Sequence, residues 1–143
     1  MDRNSYLKRY FGVEEIPTLS RETERVHLKE FLENKNRKSF DTLLQAMSWI
    51  PYGLADKLRN SGVHFDDLFQ SGIFGLYKSI ERFDLNRDTR LSTYATYYVK
   101  LEIKKEVNKF SRPFSIPDHK ASEFRKILNE IRNMESVSNR KID

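Results

Sequence analysis

Apolar residues recur along the chain at helical rather than strand spacing. Leu43, Leu44, Met47, Ile50, Leu54 and Leu58 form one stripe, Leu68, Phe69, Leu76, Ile80 and Phe83 a second, and Ala95, Val99, Ile103, Val107 and Phe110 a third. Each predicts a helix with one buried face. Shorter helices are expected over residues 6–12, with Tyr6, Leu7, Tyr10 and Phe11 as the apolar residues, and over residues 21–33. Between them Pro17 biases Ile16 away from helix, and Ser20 is a good N-cap for a helix carrying Glu22 and Glu24 in its first turn, where the dipole favours negative charge. Residues 34–39 read as a polar, basic connector. Pro51 falls inside the first stripe, so a kink or break is expected near residues 49–52, because proline lacks an amide hydrogen and crowds the preceding turn. Asn60, Ser61 and Gly62 make a turn, Asp66 or Asp67 caps the second stripe's helix, and Ser92 caps the third's. Gly72, Gly75 and Ser79 form a smooth strip that admits a close neighbour; mid-helix glycine costs ~1 kcal/mol against alanine, which argues for packing. Pro113 ends the third helix, and Phe124, Ile127, Leu128 and Ile131 mark a C-terminal amphipathic helix before a polar tail over 136–143. With no β-branched alternation of useful length, the fold class is all-α, a compact multi-helix bundle.

A chain of 143 residues is one domain's worth and can bury a core of several helices. Charged residues make up 33% and the net charge is +5, which favours an acidic partner. The absence of cysteine removes disulfides and thiolate metal sites, and suits a reducing compartment. There is no long apolar run, and Met1-Asp2-Arg3-Asn4 lacks a signal peptide's apolar core, so a soluble, cytoplasmic protein with no membrane partner is expected. His27, His64 and His119 lie far apart without ligand spacing, and Asp84, Asn86 and Asp88 have the spacing of a calcium loop but lack its glycine and distal glutamate. No nucleophile and base stand out together, so no catalytic residue, metal or cofactor is expected, and the chain reads as something other than an enzyme.

What chemistry there is lies on two outward faces. Opposite the third stripe fall Tyr97, Leu101, Lys104 and Asn108, flanked by Lys100 and Lys105, a mixture of rings, one bare leucine and ammonium groups. Charged residues on a helix are usually only a solvated face. The interleaved rings change the weighting, because single-stranded nucleic acid needs π-faces for unstacked bases together with cations for phosphates. On the second stripe's helix, Asp67, Gln70, Phe74, Tyr77, Lys78 and Glu81 share a face whose clustered rings within a polar rim have the composition of a protein interface.

The span 62–117 then resembles a known family. Gly62-Val63-His64-Phe65-Asp66-Asp67-Leu68-Phe69-Gln70-Ser71-Gly72, Gly75-Leu76, Arg82-Phe83-Asp84, Leu91-Ser92-Thr93-Tyr94-Ala95-Thr96-Tyr97-Tyr98 and Ile116-Pro117-Asp118-His119 are similar, in fixed register, to region 2 and the start of region 3 of the sigma-70 family. The resemblance implies a division into a region 1.2-like segment over 1–36, a region 2 domain over 37–112, a region 3.0-like helix over 113–135 and a tail over 136–143. It also implies two partners, core RNA polymerase through the coiled coil of its β′ subunit, and promoter DNA, chiefly the single-stranded non-template strand.

By that resemblance Asp66, Asp67, Gln70, Ser71, Phe74, Tyr77 and Lys78 face the polymerase, with Ser71 and Ile73 standing where glutamate and asparagine are usual, so the interface looks retuned. Phe83, Arg87, Thr93, Tyr94, Thr96 and Tyr97 line a pocket for a flipped adenine, with Arg90 on the DNA backbone. Tyr97 and Tyr98 replace a commoner tryptophan pair, and Thr89 a frequent aromatic. Leu101 and Lys104 stand where glutamine and threonine read the upstream base pair of the minus-ten element, which implies an altered promoter preference. Lys100, Lys105, Lys109 and Arg112 extend the basic stripe onto phosphates, and His119 sits near the upstream backbone. Met47 occupies a position where the family often has an asparagine lining a thymine pocket, and Ser122 one where a glutamate reads guanine.

The function implied is a sigma factor that binds core polymerase and melts the minus-ten element. The chain stops before the family's helix-turn-helix for the minus-thirty-five element. It is expected to be a shortened form, one half of a split sigma, or a short phage late-transcription sigma in which a separate region 4 subunit, co-activator or sliding clamp substitutes. An alternative is a polymerase-binding decoy that does not open DNA; the retained Thr93, Tyr94, Thr96 and Tyr97 weigh against it, since an inhibitor needs no base pocket.

Overall fold

A computed structural model describes residues 2–110, which form six helices and, among them, no strand. These are α1 (Arg3–Phe11), α2 (Arg21–Asn34), α3 (Arg37–Ala46), α4 (Trp49–Lys57), α5 (Phe65–Glu81) and α6 (Leu91–Phe110). The readings for Arg112, His119, the region 3.0-like helix and the tail lie outside the described residues, as does the side chain of Phe110.

Local chemistry sets most boundaries. Asp2 caps α1 by accepting from the Ser5 amide at 2.8 Å, and Gly12 ends it at φ 66°, where a side chain would be strained. Ser20 and Asn36 cap α2 and α3 in the same way as Asp2. The expected interruption in the first stripe falls at Met47 and Ser48, just before the proline; Pro51 itself is third in α4, where its missing N–H would have had no intrahelical partner. The α5 cap differs from expectation: His64 Nδ1 accepts from the Asp66 amide at 3.3 Å, and Asp66 and Asp67 occupy the first turn.

One core runs through all six helices. Leu7 of α1, Leu28 of α2, Phe40 and Leu43 of α3, Leu54 of α4, Phe69 and Leu76 of α5, and Ala95, Val99, Ile103 and Val107 of α6 are buried in a single cluster. The most extensive helix–helix contact is between α5 and α6. Gly75 makes it possible, because a Cβ there would stand only 2.8 Å from Tyr98 C and from Val99 Cα. At Gly72 a Cβ would meet Pro51 Cβ at 2.6 Å, so the smooth strip receives α6 on one side and α4 on the other. Ser79 is fully buried, its hydroxyl donating to Leu76 O at 2.7 Å, which removes the penalty of an unsatisfied polar group.

Candidate nucleic-acid interface

The first two turns of α6 carry the densest arrangement of candidate residues. Burying Leu91, Ala95 and Val99 turns Tyr94, Tyr97 and Tyr98 toward the surface, where each is half-buried. Their rings form an edge-to-face chain: Phe83 to Tyr94 at 5.8 Å between centroids, Tyr94 to Tyr98 at 5.0 Å and Tyr98 to Tyr97 at 5.2 Å. Phe83, expected in the pocket wall, is itself only 6% exposed, so it backs Tyr94 from the core. The Tyr94 hydroxyl donates to Arg82 O at 3.3 Å, which leaves Tyr98 to donate to Tyr94 across 3.1 Å. Burial pushes the Tyr94 phenol well above its ordinary pKa, while the Arg87 and Arg82 cations pull the other way. The guanidinium of Arg82 lies 5.9 Å from the Tyr98 ring centroid. Thr93 is exposed beside the ladder, and Thr96 is half-buried with its hydroxyl donating to Ser92 O at 2.7 Å. Two arginines and three phenol rings with partly open faces thus share one surface.

The loop that carries Arg87 is held from α2. Arg25 donates to Leu85 O at 2.6 Å and Arg21 pairs with Asp88 at 3.0 Å. Glu24, 1% exposed, accepts from Arg90 Nη2 at 2.9 Å and from the Leu91 amide at 3.1 Å. The cap of α6 is therefore Glu24, delivered from another helix in place of Ser92, and Arg90, whose side chain stays 41% exposed, pairs with that buried carboxylate. Sequence reasoning placed Glu24 on the helix dipole; the missed signal was its position one turn before Leu28, on the face α2 turns inward.

Farther along α6 the basic stripe is partly balanced. Glu102, 7% exposed, accepts from Lys78 of α5 and from Lys105, both at 3.1 Å, and Lys109 pairs with Glu106 at 3.6 Å. The Lys105 and Lys109 pairs are solvent-exposed on the cation side, where such bonds yield readily to a phosphate. Lys100 and Lys104 are half-buried and Asn108 exposed, and each interacts with a neighbouring group. Leu101, expected bare, is half-buried against the core.

The α5 face is narrower than its helical projection. Asp67, Gln70 and Phe74 are exposed, with Phe74 at 52% and the Lys78 ammonium 4.4 Å from its ring centroid; Ser71 is half-buried beside them. Tyr77 turns away and packs edge-on against Phe40 at 4.9 Å, while Ile73 is buried. Asp66 accepts from the Tyr6 hydroxyl at 2.7 Å and Gln70 from that of Tyr10 at 2.5 Å, so α1 borders this face, a contact between residues 60 apart that no local pattern announced. A groove of about 550 Å³ opens on another side, between α1, residues 15–19 and the α3–α4 turn, with Met47, Trp49 and Arg90 in its lining. Among the described residues no group of histidine, cysteine or acidic side chains could hold a metal ion, and no helix is long and apolar enough to cross a membrane.

Residues 48–112, which contain α4, α5, the anchored loop and the ring ladder, match the sequence profile of Sigma-70 region 2. The chain belongs to the sigma-70 family. It is 30% identical over 129 residues to the RNA polymerase sigma factor SigA of Clostridium acetobutylicum, covering 90% of this chain and 33% of that protein. Identity is 32% over 114 residues to RpoD of Neisseria gonorrhoeae, covering 73% and 18%, and 32% over 85 residues to SigA1 of Synechococcus elongatus, covering 59% and 21%. The chain thus spans a third or less of the length of these sigma-70 relatives. In this sigma-70 chain α1 and α2 lie outside the matched segment yet supply the Glu24 anchor and the Tyr6 and Tyr10 contacts to it.

Proposed function

We propose that the chain acts as an RNA polymerase sigma factor in transcription initiation, binding core polymerase through the exposed part of α5 and holding flipped non-template bases of the minus-ten element on the start of α6. The observation that carries this reading is the ladder Phe83–Tyr94–Tyr98–Tyr97 beside Arg82 and Arg87, within the segment that matches region 2. Unstacking a base costs a few kcal/mol, which an aromatic receptor with adjacent cations offsets. The Tyr94 and Tyr98 phenols are tied to each other and to the Arg82 carbonyl, and the Tyr97 ring packs edge-on against Tyr98, so the receptor is ordered before a base arrives and less entropy is lost on binding. Thr93, Thr96, Lys100, Lys104, Lys105 and Lys109 continue from the ladder along α6 and supply polar and cationic groups for the strand. Arg90 contributes through Glu24, by holding the loop that presents Arg87.

Substituting Tyr97 by alanine removes a half-buried ring at the open end of the ladder without touching the core. Affinity of the polymerase-bound chain for a single-stranded minus-ten oligonucleotide is expected to fall by ~1 to 3 kcal/mol, roughly 5- to 150-fold. An unchanged affinity in fluorescence anisotropy would count against the base receptor. Asp67→Arg places a cation in the exposed first turn of α5 and is expected to prevent co-purification with core polymerase while leaving the helical content unchanged. Retained co-purification would remove α5 as the docking helix.

A further inference from the structure

Of the four large apolar side chains that stand exposed among the described residues, two flank Gln70: Tyr10 from α1, 37% exposed, and Phe74 one turn farther along α5, 52% exposed. The Tyr10 hydroxyl donates to Gln70 Oε1 at 2.5 Å. The Tyr10 ring is itself fixed, edge-on to Phe69 at 4.8 Å and to Phe11 at 5.0 Å, and one turn earlier Tyr6 repeats the arrangement with Asp66 at 2.7 Å. Two tyrosines spaced i, i+4 on α1 therefore meet two polar residues spaced i, i+4 on α5. The outcome is one continuous surface, Tyr10–Gln70–Phe74, with the Asp67 carboxylate at its edge.

We propose that α1 forms the second wall of the polymerase-docking surface, in which Tyr10 touches the partner and also positions the Gln70 amide. This rests on the reading of α5 as the polymerase-binding helix. An amide has one acceptor oxygen and two donor hydrogens on its nitrogen. With the oxygen turned to Tyr10, the Nε2 hydrogens face away from α1, and they match an acceptor on the partner, a carboxylate or a backbone carbonyl. The two rings on either side exclude water from that hydrogen bond, the arrangement in which an interfacial polar contact discriminates best. The occupant is a polymerase segment with an apolar strip for Phe74 and Tyr10, an acceptor opposite Gln70 and a cation opposite Asp67.

The test is a double-mutant cycle on the full 143-residue chain, with affinity measured against core RNA polymerase from its host. Tyr10→Phe keeps the ring and its packing but frees the amide, and is expected to weaken binding 3- to 10-fold. Gln70→Glu keeps the acceptor for Tyr10 but loses both donors, and is expected to weaken it at least 10-fold. In a Gln70→Ala background Tyr10→Phe is expected to cost nothing further, because the group it positions is gone. Binding unchanged in Tyr10→Phe, or equal losses from it in both backgrounds, overturns the positioning role of Tyr10. Asp67→Arg separates the two levels: if it abolishes binding while Tyr10→Ala, which removes the ring, and the Gln70 variants bind like wild type, α5 still docks and α1 is no part of the surface; if it binds normally, the α5 reading fails and the α1 wall with it. An unchanged circular-dichroism spectrum and melting temperature of each variant serves as the folding control.

Discussion

Replacing Gly75 by alanine is expected to lower the melting temperature by about 10 °C, corresponding to about 3 kcal/mol of lost stability. The added methyl group would meet main-chain atoms, Tyr98 C and Val99 Cα at 2.8 Å each, and no rotamer change relieves such a clash. Only a displacement of α6 away from α5 does, and these two helices share the largest interface in the bundle. The displacement also moves Tyr98, whose ring sits between Tyr94 and Tyr97, so base binding should weaken together with stability. Gly53 provides the matched comparison. It lies inside α4, exposed, with nothing within 4 Å of its would-be Cβ. Gly53→Ala should therefore stabilise by ~0.5 to 1 kcal/mol through helix propensity and a less flexible unfolded chain. Thermal melts of the two variants, followed by circular dichroism, are expected to shift in opposite directions.

The second large effect is expected at Glu24. Glu24→Ala removes the acceptor of the buried Leu91 amide and the counter-ion of Arg90, whose Nε is already buried without a partner. Stranding such groups costs roughly 3 kcal/mol, read as a lower urea midpoint with the slope unchanged. Glu24→Gln keeps the shape and an acceptor but replaces charge-assisted hydrogen bonds by neutral ones, and should lose about half as much. Because the lost contacts hold the loop over 82–90 and the start of α6, affinity for single-stranded DNA is expected to drop in both variants at temperatures where they remain folded. Arg21→Ala, which breaks a pair whose Asp88 partner is fully exposed, should change stability by less than ~1 kcal/mol. If Arg21→Ala and Glu24→Ala were equally mild, α2 would not be the anchor of the ladder.

The contrast between these sites shows what was legible in the chain and what was not. The stripe Ala95, Val99, Ile103, Val107 is buried to 2% exposure or less, and Gly72 and Gly75 admit close neighbours, because a period of 3.6 and the absence of a Cβ act locally. The break at Pro51 was legible for the same reason, although the turn forms before it. Glu24, Tyr6 and Tyr10 were not legible in their roles, since each acts on a residue 60 or more positions away. Tyr77 and Leu101 fell on outward faces of their own helices and were covered by α3 and by the core, which a single-helix projection leaves out. The basic stripe on α6 was read without its counter-charges for a related reason: Glu102 looks like a surface residue until α5 brings Lys78 to it. Of the candidate site, the rings of α6 were therefore visible in advance, while the supports that hold them were not.

The most direct measurement is run-off transcription by core polymerase supplemented with the chain, on a fully paired promoter and on the same promoter with an unpaired minus-ten bubble. A sigma factor that captures flipped bases should give specific initiation on both templates, with Tyr97→Ala impaired far more on the paired template than on the open one. Suppressed transcription on both templates, with no specific product from either, would contradict it and identify the chain as a protein that occupies polymerase without opening DNA.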